Sequence, residues 1–329
     1  MRGLHLRQVH GSEEAGVLSA LTTGSPTAVI GPRRMRALLE AAPAAATTVL
    51  TAMEGQQLRG YVHLSTEEGA AWLVSGAVDP AHRRRGIGTA LLREAARCAR
   101  AAGARSLRIS GRPAGYAAPG VDPERDPGTA GFLARRGARP VGTALAMTRP
   151  LHDLPVGRDR PGLHVATCRE QDGPELLAVV EEHLDPGWAA LLRRHAGRSE
   201  PRERSQPSAD LERILLARDR DGALLGFAGW GLVGPDPSRF GPFGVVPHAR
   251  GTGAGAALLD RALQHMAGEG LAHAWFQWTA PDTPAHRLYS SRGFTTLRTF
   301  TPVTLPLTDD AAPPGAEAGP TVHQEGTLR

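Results

Sequence analysis

The phrase "PAHRRRGIGTALL" begins at Pro80, and "PHARGTGAGAALL" begins at Pro247, so one chain carries the same glycine-rich stretch twice. The two copies align with a constant offset: Pro80 with Pro247, Arg83 with Arg250, Gly86 with Gly253 and Gly88 with Gly255. The surroundings repeat too. In the first half "AAWLVSGAV" (70–78) reads as a strand, "GTALLREAARCARAAG" (88–103) as a helix stopped by Gly103, and "SLRIS" (106–110) as a second strand. Before them "TTVLTAM" (47–53) and "LRGYVHLS" (58–65) read as a hairpin, preceded by the strand "LHLRQV" and helical sequence to about Ala42. A Pro/Gly-rich loop (111–128), the short helix "AGFLARRG" and a last strand pair in "ARPVGTALAMTRPL" complete the half. The second half follows the same order: strand "LHVATC", two helices, strands "RILLARD" and "LLGFAGWGL", strand "FGPFGVV", glycines, helix, strand "HAWFQWT", short helix, and "TTLRTFTPVTL". This is a domain duplication. We expect domains at 1–151 and 163–308, a linker at 152–162, a mobile loop at 197–210 and a disordered tail at 309–329.

A strand that runs into a glycine turn and then a helix leaves backbone N–H groups unpaired at the helix N-terminus, where the helix dipole adds positive charge. Glycine lets an anion approach that backbone closely. Such a turn cradles a pyrophosphate. Neither copy is a Walker loop, since GK[ST] is missing, and neither has the third glycine of a Rossmann fingerprint.

Composition narrows the chemistry. All 38 basic residues are arginine and none is lysine. That removes a lysine Schiff base, a Walker lysine and the kinase lysine. The arginines are interspersed with Asp and Glu, which argues against a nucleic-acid partner despite the basic balance. Cys98 and Cys168 are the two cysteines, far apart and outside any CxxC, so no metal cluster or disulfide framework is expected. No apolar run approaches the roughly 20 residues of a membrane span, and the first residues lack a signal-peptide core. A cytoplasmic protein with no membrane partner, as monomer or homodimer, is the expectation.

The phrase fits [RQ]xxGx[GA] preceded by V-x-P: "VDPAHRRRGIGTALL" in the first half and "VVPHARGTGAGAALL" in the second. It resembles the acetyl-CoA signature of the GNAT superfamily of N-acetyltransferases. The element order agrees with that family over residues 4–150 and 163–307. The resemblance implies an α/β (α+β) fold: two tandem acyl-CoA N-acyltransferase domains, each a mixed, mostly antiparallel sheet flanked by helices. It further implies acetyl-CoA as co-substrate, no metal, and a small-molecule amine as acceptor. The donor pyrophosphate would lie on the turn amides of Arg250, Gly251, Thr252, Gly253, Ala254, Gly255 and Ala256. In the first half the same role would fall to Arg84, Arg85, Gly86, Ile87, Gly88 and Thr89. Pantetheine would lie along the splayed strand, at Phe243, Gly244 and Val245, and at Gly76, Ala77 and Val78.

Members of this superfamily commonly place a Tyr on the short helix after the second splayed strand, where it protonates the leaving thiolate. "DTPAHRLYSSRGF" puts Tyr289 there, with Asp282 and Arg287 beside the donor and Gly293–Phe294 closing the motif. In the first half, aligning Gly137 with Gly293 puts Leu133 at that position, and Leu donates no proton. We therefore expect one catalytic domain, the second, and one degenerate domain. For the general base the strand before the second phrase offers no carboxylate; Asp236 acting through water, His248 and His286 are the candidates. Trp275 and Trp278 should face opposite sides of their strand, one packing in the core and the other free to stack on a sugar or on pantetheine.

The tandem arrangement and the junction "MTRPLHDLP" also resemble the mycothiol synthase family of actinobacteria. That family has an acidic residue, which helps to receive the amine of a sugar-linked cysteine, where Arg239 stands here. The resemblance points to an amino-sugar, aminoglycoside-like or mycothiol-precursor-like acceptor. The alternative is a module that binds or sequesters acyl-CoA without catalysis.

Overall fold

A computed structural model describes residues 4–9, 14–23, 25, 29–41, 44–109, 111, 115–154, 160–196 and 209–307. The expected tail and most of the 197–210 loop lie outside the described residues. The elements of the first half are β1 (Leu4–Val9), α1 (Ala15–Thr22), α2 (Pro32–Leu39), β2 (Thr47–Glu54), β3 (Gln57–Glu67), β4 (Ala70–Val78), α3 (Ile87–Ala101), β5 (Ser106–Ile109), α4 (Pro127–Ala134), β6 (Arg139–Pro140) and β7 (Ala144–Pro150). Those of the second are β8 (His164–Thr167), α5 (Gly173–His183), α6 (Pro186–Ala196), α7 (Ala209–Glu212), β9 (Ile214–Arg218), β10 (Leu224–Trp230), β11 (Phe240–Val245), α8 (Ala254–Gly268), β12 (His273–Thr279), α9 (Pro284–Ser291), β13 (Thr295–Phe300) and β14 (Val303–Pro306).

The sheets are held by two-sided burial. In the first unit Leu50 and Val62 pack with α3, while their neighbours Val49 and Tyr61 pack with α1 and α2 on the other face. In the second unit Leu215 and Ala228 pack against α8, and Leu216 and Phe227 pack toward α5 and α6. Alternation with a period of two sends successive side chains to opposite faces, so each sheet carries helices on both. Helix α3 buries Ile87, Leu91, Leu92, Ala95, Ala96 and Ala99 along one stripe. Both α3 and α8 begin at a left-handed glycine, Gly86 (φ 85°) and Gly253 (φ 95°). Both end at another, Gly103 (φ 81°) and Gly270 (φ 79°). The duplication therefore extends to both caps of this helix.

The sheets do not follow the sequence halves. Strand order in the first unit is β1-β2-β3-β4-β5-β14-β6, so β14 from the end of the chain lies between β5 and β6. The order β12-β7-β13 puts β7, from the first half, at the centre of the other unit's three-stranded sheet. One compact unit gathers the described residues up to Ala144 and those from Thr299 onward; the other spans Leu145–Arg298. These units divide the chain elsewhere than the expected 1–151 and 163–308, and the two strands of each terminal pair lie in different sheets. The reason is burial: Ala144, Leu145, Ala146 and Met147 are all buried, and four successive buried residues need a strand covered on both faces.

Candidate functional site

In each unit the strand before the glycines parts from its parallel neighbour. β4 pairs with β5 at Ala71↔Leu107, Trp72↔Arg108 and Leu73↔Ile109 and nowhere further along. The edge of β4 from Val74 to Val78 therefore faces an opening. In the second unit a single parallel bridge, Arg239↔Trp275, joins the chain just before β11 to β12. There the Trp275 amide donates to the Ser238 carbonyl at 3.1 Å. Beyond it, β11 pairs only with β10, from Phe240↔Trp230 to Val245↔Gly226. Gly76–Val78 and Phe243–Val245, the expected pantetheine residues, thus lie on strands with one free backbone edge each.

The turns have the same backbone in both units. Left-handed residues fall at Arg84 (φ 62°) and Gly86 in one, and at Gly251 (φ 81°) and Gly253 in the other. The arginine of each phrase closes its turn onto the end of the strand: Arg83 Nε donates to the Val78 carbonyl at 3.2 Å, and Arg250 Nε to Val245 at 3.4 Å. Neither α3 nor α8 has a side-chain N-cap or an acidic residue in its first turn. Two helix N-termini are left with their amides and positive dipole ends directed at the mouth of an opening.

What surrounds the cradles differs. In the first unit the opening is a cavity of about 570 Å³. Its lining includes Arg83, Arg84, Arg135 and Arg136 together with Gly86–Thr89. Arg136 donates to the Thr89 hydroxyl and stacks on Phe132 at 3.8 Å. Burial, with Arg135 and Arg93 nearby, lowers the Arg136 pKa. Arg85 is tied to Glu54 at 3.1 Å. In the second unit the Arg160 guanidinium lies against Gly253, so that a Cβ built there would collide with it. Sequence reasoning missed Arg160, because nothing in "RDRPG" signals which turn it will reach.

Tyr289 is buried, 6% exposed. Its ring lies against both β11 and β12: 4.2 Å from Phe276 of β12, 6.1 Å from Phe243 and 6.3 Å from Phe240 of β11, centroid to centroid. The helix ends place Leu133 as its counterpart. Phe294 N–H donates to the Tyr289 carbonyl, and Ala138 N–H to that of Leu133. Leu133 is buried, and it lines the first unit's cavity.

The other expected residues of the second unit have partners of their own or lie exposed. Asp282 is exposed with φ 60°; its N–H donates to His286 Nδ1 at 3.2 Å, and its carbonyl accepts from Arg287 at 2.7 Å. His248 is exposed in the turn. Asp236 has both carboxylate oxygens engaged. Oδ1 accepts from the Ser238 amide and hydroxyl at 2.9 and 2.6 Å, and Oδ2 from Trp275 Nε1 at 2.8 Å. Burial pushes its pKa up, but the Ser238 and Trp275 hydrogen bonds outweigh this and hold it below the usual carboxylate value. An ionised carboxylate so occupied is a weak base and a firm anchor. Arg239, 3% exposed, stacks over the Trp275 ring at 5.5 Å. Trp278 is buried, and a register irregularity between Gln277 and Thr279 breaks the simple alternation expected for the two tryptophans. Among the described residues no group of three or more His, Cys, Asp or Glu could hold a metal, and no helix is long and apolar enough to cross a membrane.

Two splayed-strand sheets with glycine cradles at helix N-termini define a tandem acyltransferase architecture. The chain belongs to the acetyltransferase (GNAT) family, whose model matches residues 20–120 and 178–294, one stretch in each half; it is an N-acetyltransferase. It is 32% identical over 255 residues to mycothiol acetyltransferase of Thermomonospora curvata, covering 75% of this chain and 78% of that one. It is 30% identical over 296 residues to mycothiol acetyltransferase of Mycolicibacterium vanbaalenii, covering 86% and 90%. Among solved structures, a tandem GNAT protein from the clavulanic acid biosynthesis pathway superposes with a TM-score of 0.67 at 21% identity, covering 93% of this chain and all of that one (100%). The glucosamine N-acetyltransferase region of a fungal β-N-acetylglucosaminidase superposes with a TM-score of 0.76 at 16% identity, covering 92% of this chain and 38% of that one.

Proposed function

We propose that the chain transfers the acetyl group of acetyl-CoA to the amine of a small, sugar-like molecule, with the chemistry in the second unit only. The observation that carries this is the contrast at one position: the two units share a cradle, but Tyr289 stands where the first unit has Leu133. In the second unit the amides of Arg250–Ala256 hold the donor pyrophosphate, and the free edge of β11 aligns pantetheine. The acceptor amine attacks the thioester carbonyl, the C–S bond breaks, and Tyr289 gives its proton to the departing thiolate. The ammonium proton leaves to water, and water returns a proton to the Tyr289 phenolate. Asp236 serves as a positioning residue that fixes Trp275 beneath Arg239.

The mycothiol acetyltransferase and glucosamine N-acetyltransferase names of the relatives support an amine borne on or beside a sugar. Thiol release from acetyl-CoA, measured across a panel of amino sugars and cysteinyl amino sugars, tests this reading. Saturable turnover with one of them is expected; no turnover with any sugar amine, alongside turnover of a peptide amine, would contradict it.

Arg160 then has a role as a clamp on the donor phosphates. A charge-assisted hydrogen bond is worth about 1.5–3 kcal/mol, so Arg160→Gln is expected to raise the KM for acetyl-CoA by about tenfold or more and leave kcat within twofold. An unchanged KM would remove Arg160 from the donor site.

A further inference from the structure

Phe243 and Gly244 are successive residues of β11, so they face opposite sides of it. The Phe243 ring lies on the α8 side, 6.1 Å from Tyr289. On the other side Gly244 is pressed under the connection between α5 and α6. A Cβ built there would stand 2.9 Å from Leu184 Cδ1, 3.0 Å from Trp188 Cζ3 and 3.3 Å from Leu184 Cδ2. All three are closer than the roughly 3.5–4.0 Å of ordinary carbon contacts. Leu184 is half-buried, and Trp188 is 4% exposed. The Trp188 ring stands edge-on to Phe227 of β10, centroids 6.0 Å apart. Its indole N–H has no hydrogen-bond partner among the described residues, so packing alone fixes it. The offset that aligns Arg83 with Arg250 sets Ala77 opposite Gly244. Ala77 packs toward the α1 and α2 side of its own sheet. The first unit thus has room for the methyl group that the second excludes.

We propose that Leu184 and Trp188 form the wall that holds the donor of the second unit to a two-carbon acyl group. This rests on the reading that β11 carries the pantetheine of acetyl-CoA and that Tyr289 serves its sulfur. A sulfur beside Tyr289 and Phe243 puts the acyl carbon, one bond away, beside Phe243 and Gly244. An acetyl group ends there. Each further methylene has to displace Leu184 or Trp188, and extra carbon forced into a packed site lowers affinity rather than raising it.

The test uses the full chain carrying Gly86→Asp, which silences the first cradle. CoA, acetyl-CoA, propionyl-CoA and butyryl-CoA are titrated by calorimetry. Butyryl-CoA is expected to bind about tenfold or more weakly than acetyl-CoA. Adding Leu184→Ala should reverse that order, because a methylene buried without strain gains roughly fourfold in affinity. CoA itself, which has no acyl group, reports a folded unit in each protein. Should Leu184→Ala fail to bind CoA, Trp188→Phe takes its place: it breaks no hydrogen bond, thins the wall, and is expected to narrow the gap between butyryl-CoA and acetyl-CoA. Butyryl-CoA binding as tightly as acetyl-CoA before the wall is changed, or a gap that the wall variant leaves as it was, overturns this inference and leaves the reading of β11 intact. No binding of any of the four by a Gly86→Asp chain that still melts cooperatively overturns both.

Discussion

A fragment spanning 163–308 is expected not to fold, whereas one spanning 145–298 folds. The first matches the repeat in the sequence but lacks β7, the central strand between β12 and β13. With it go the buried side chains of Leu145, Met147 and Leu151. Each contributes about 1.5–3 kcal/mol by burial, a loss on the order of 6 kcal/mol against a typical domain stability of about 5–15 kcal/mol. Arg149 goes as well, and with it its hydrogen bond to the Arg292 carbonyl, which holds β7 to the end of α9. The same fragment keeps β14, whose partners β5 and β6 are absent, leaving Leu305 with nothing to cover it. Circular dichroism and thermal unfolding of the two fragments check this. A cooperative transition for 163–308 would show that β7 is dispensable.

Tyr289→Phe is expected to lower kcat by about 10²–10⁴, the usual range for losing a general acid. Donor KM should stay within a few-fold. Phe keeps the ring that packs 4.2 Å from Phe276 and 5.7 Å from Phe294, so the melting temperature should hardly move. Loss of rate with retained donor affinity and stability is what separates an acid from a packing residue. An unchanged kcat would leave Tyr289 as part of the aromatic core alone.

Much of this was legible in the sequence, for identifiable reasons. Glycine at Gly86 and Gly253 reports a local need, a left-handed residue before a helix, so the turns and the helices after them could be located to within a residue. Tyr289 and Leu133 were legible because the glycine after their helix, Gly293 or Gly137, fixes the register of the last turn. The strand exchange was not. Period-two burial in "ALAMTRP" announces a strand but says nothing of which strands lie beside it, and partners close in sequence are only the default. Asp236 read as a base acting through water because its tie to Trp275 depends on β12 arriving alongside, 39 residues later. Arg160 over Gly253 is likewise a tertiary contact with no sequence period behind it.

The central claim is that the acetyl transfer is performed at the second cradle and not at the first. Initial rates of thiol release for Gly253→Asp and Gly86→Asp, each at saturating acceptor, test it most directly. A carboxylate at the cradle repels the donor phosphates, and any side chain at φ 95° or 85° strains the turn. The account predicts that Gly253→Asp abolishes turnover and that Gly86→Asp retains the wild-type rate. Turnover that survives Gly253→Asp and disappears in Gly86→Asp would contradict it, and would place the chemistry in the unit that lacks the tyrosine.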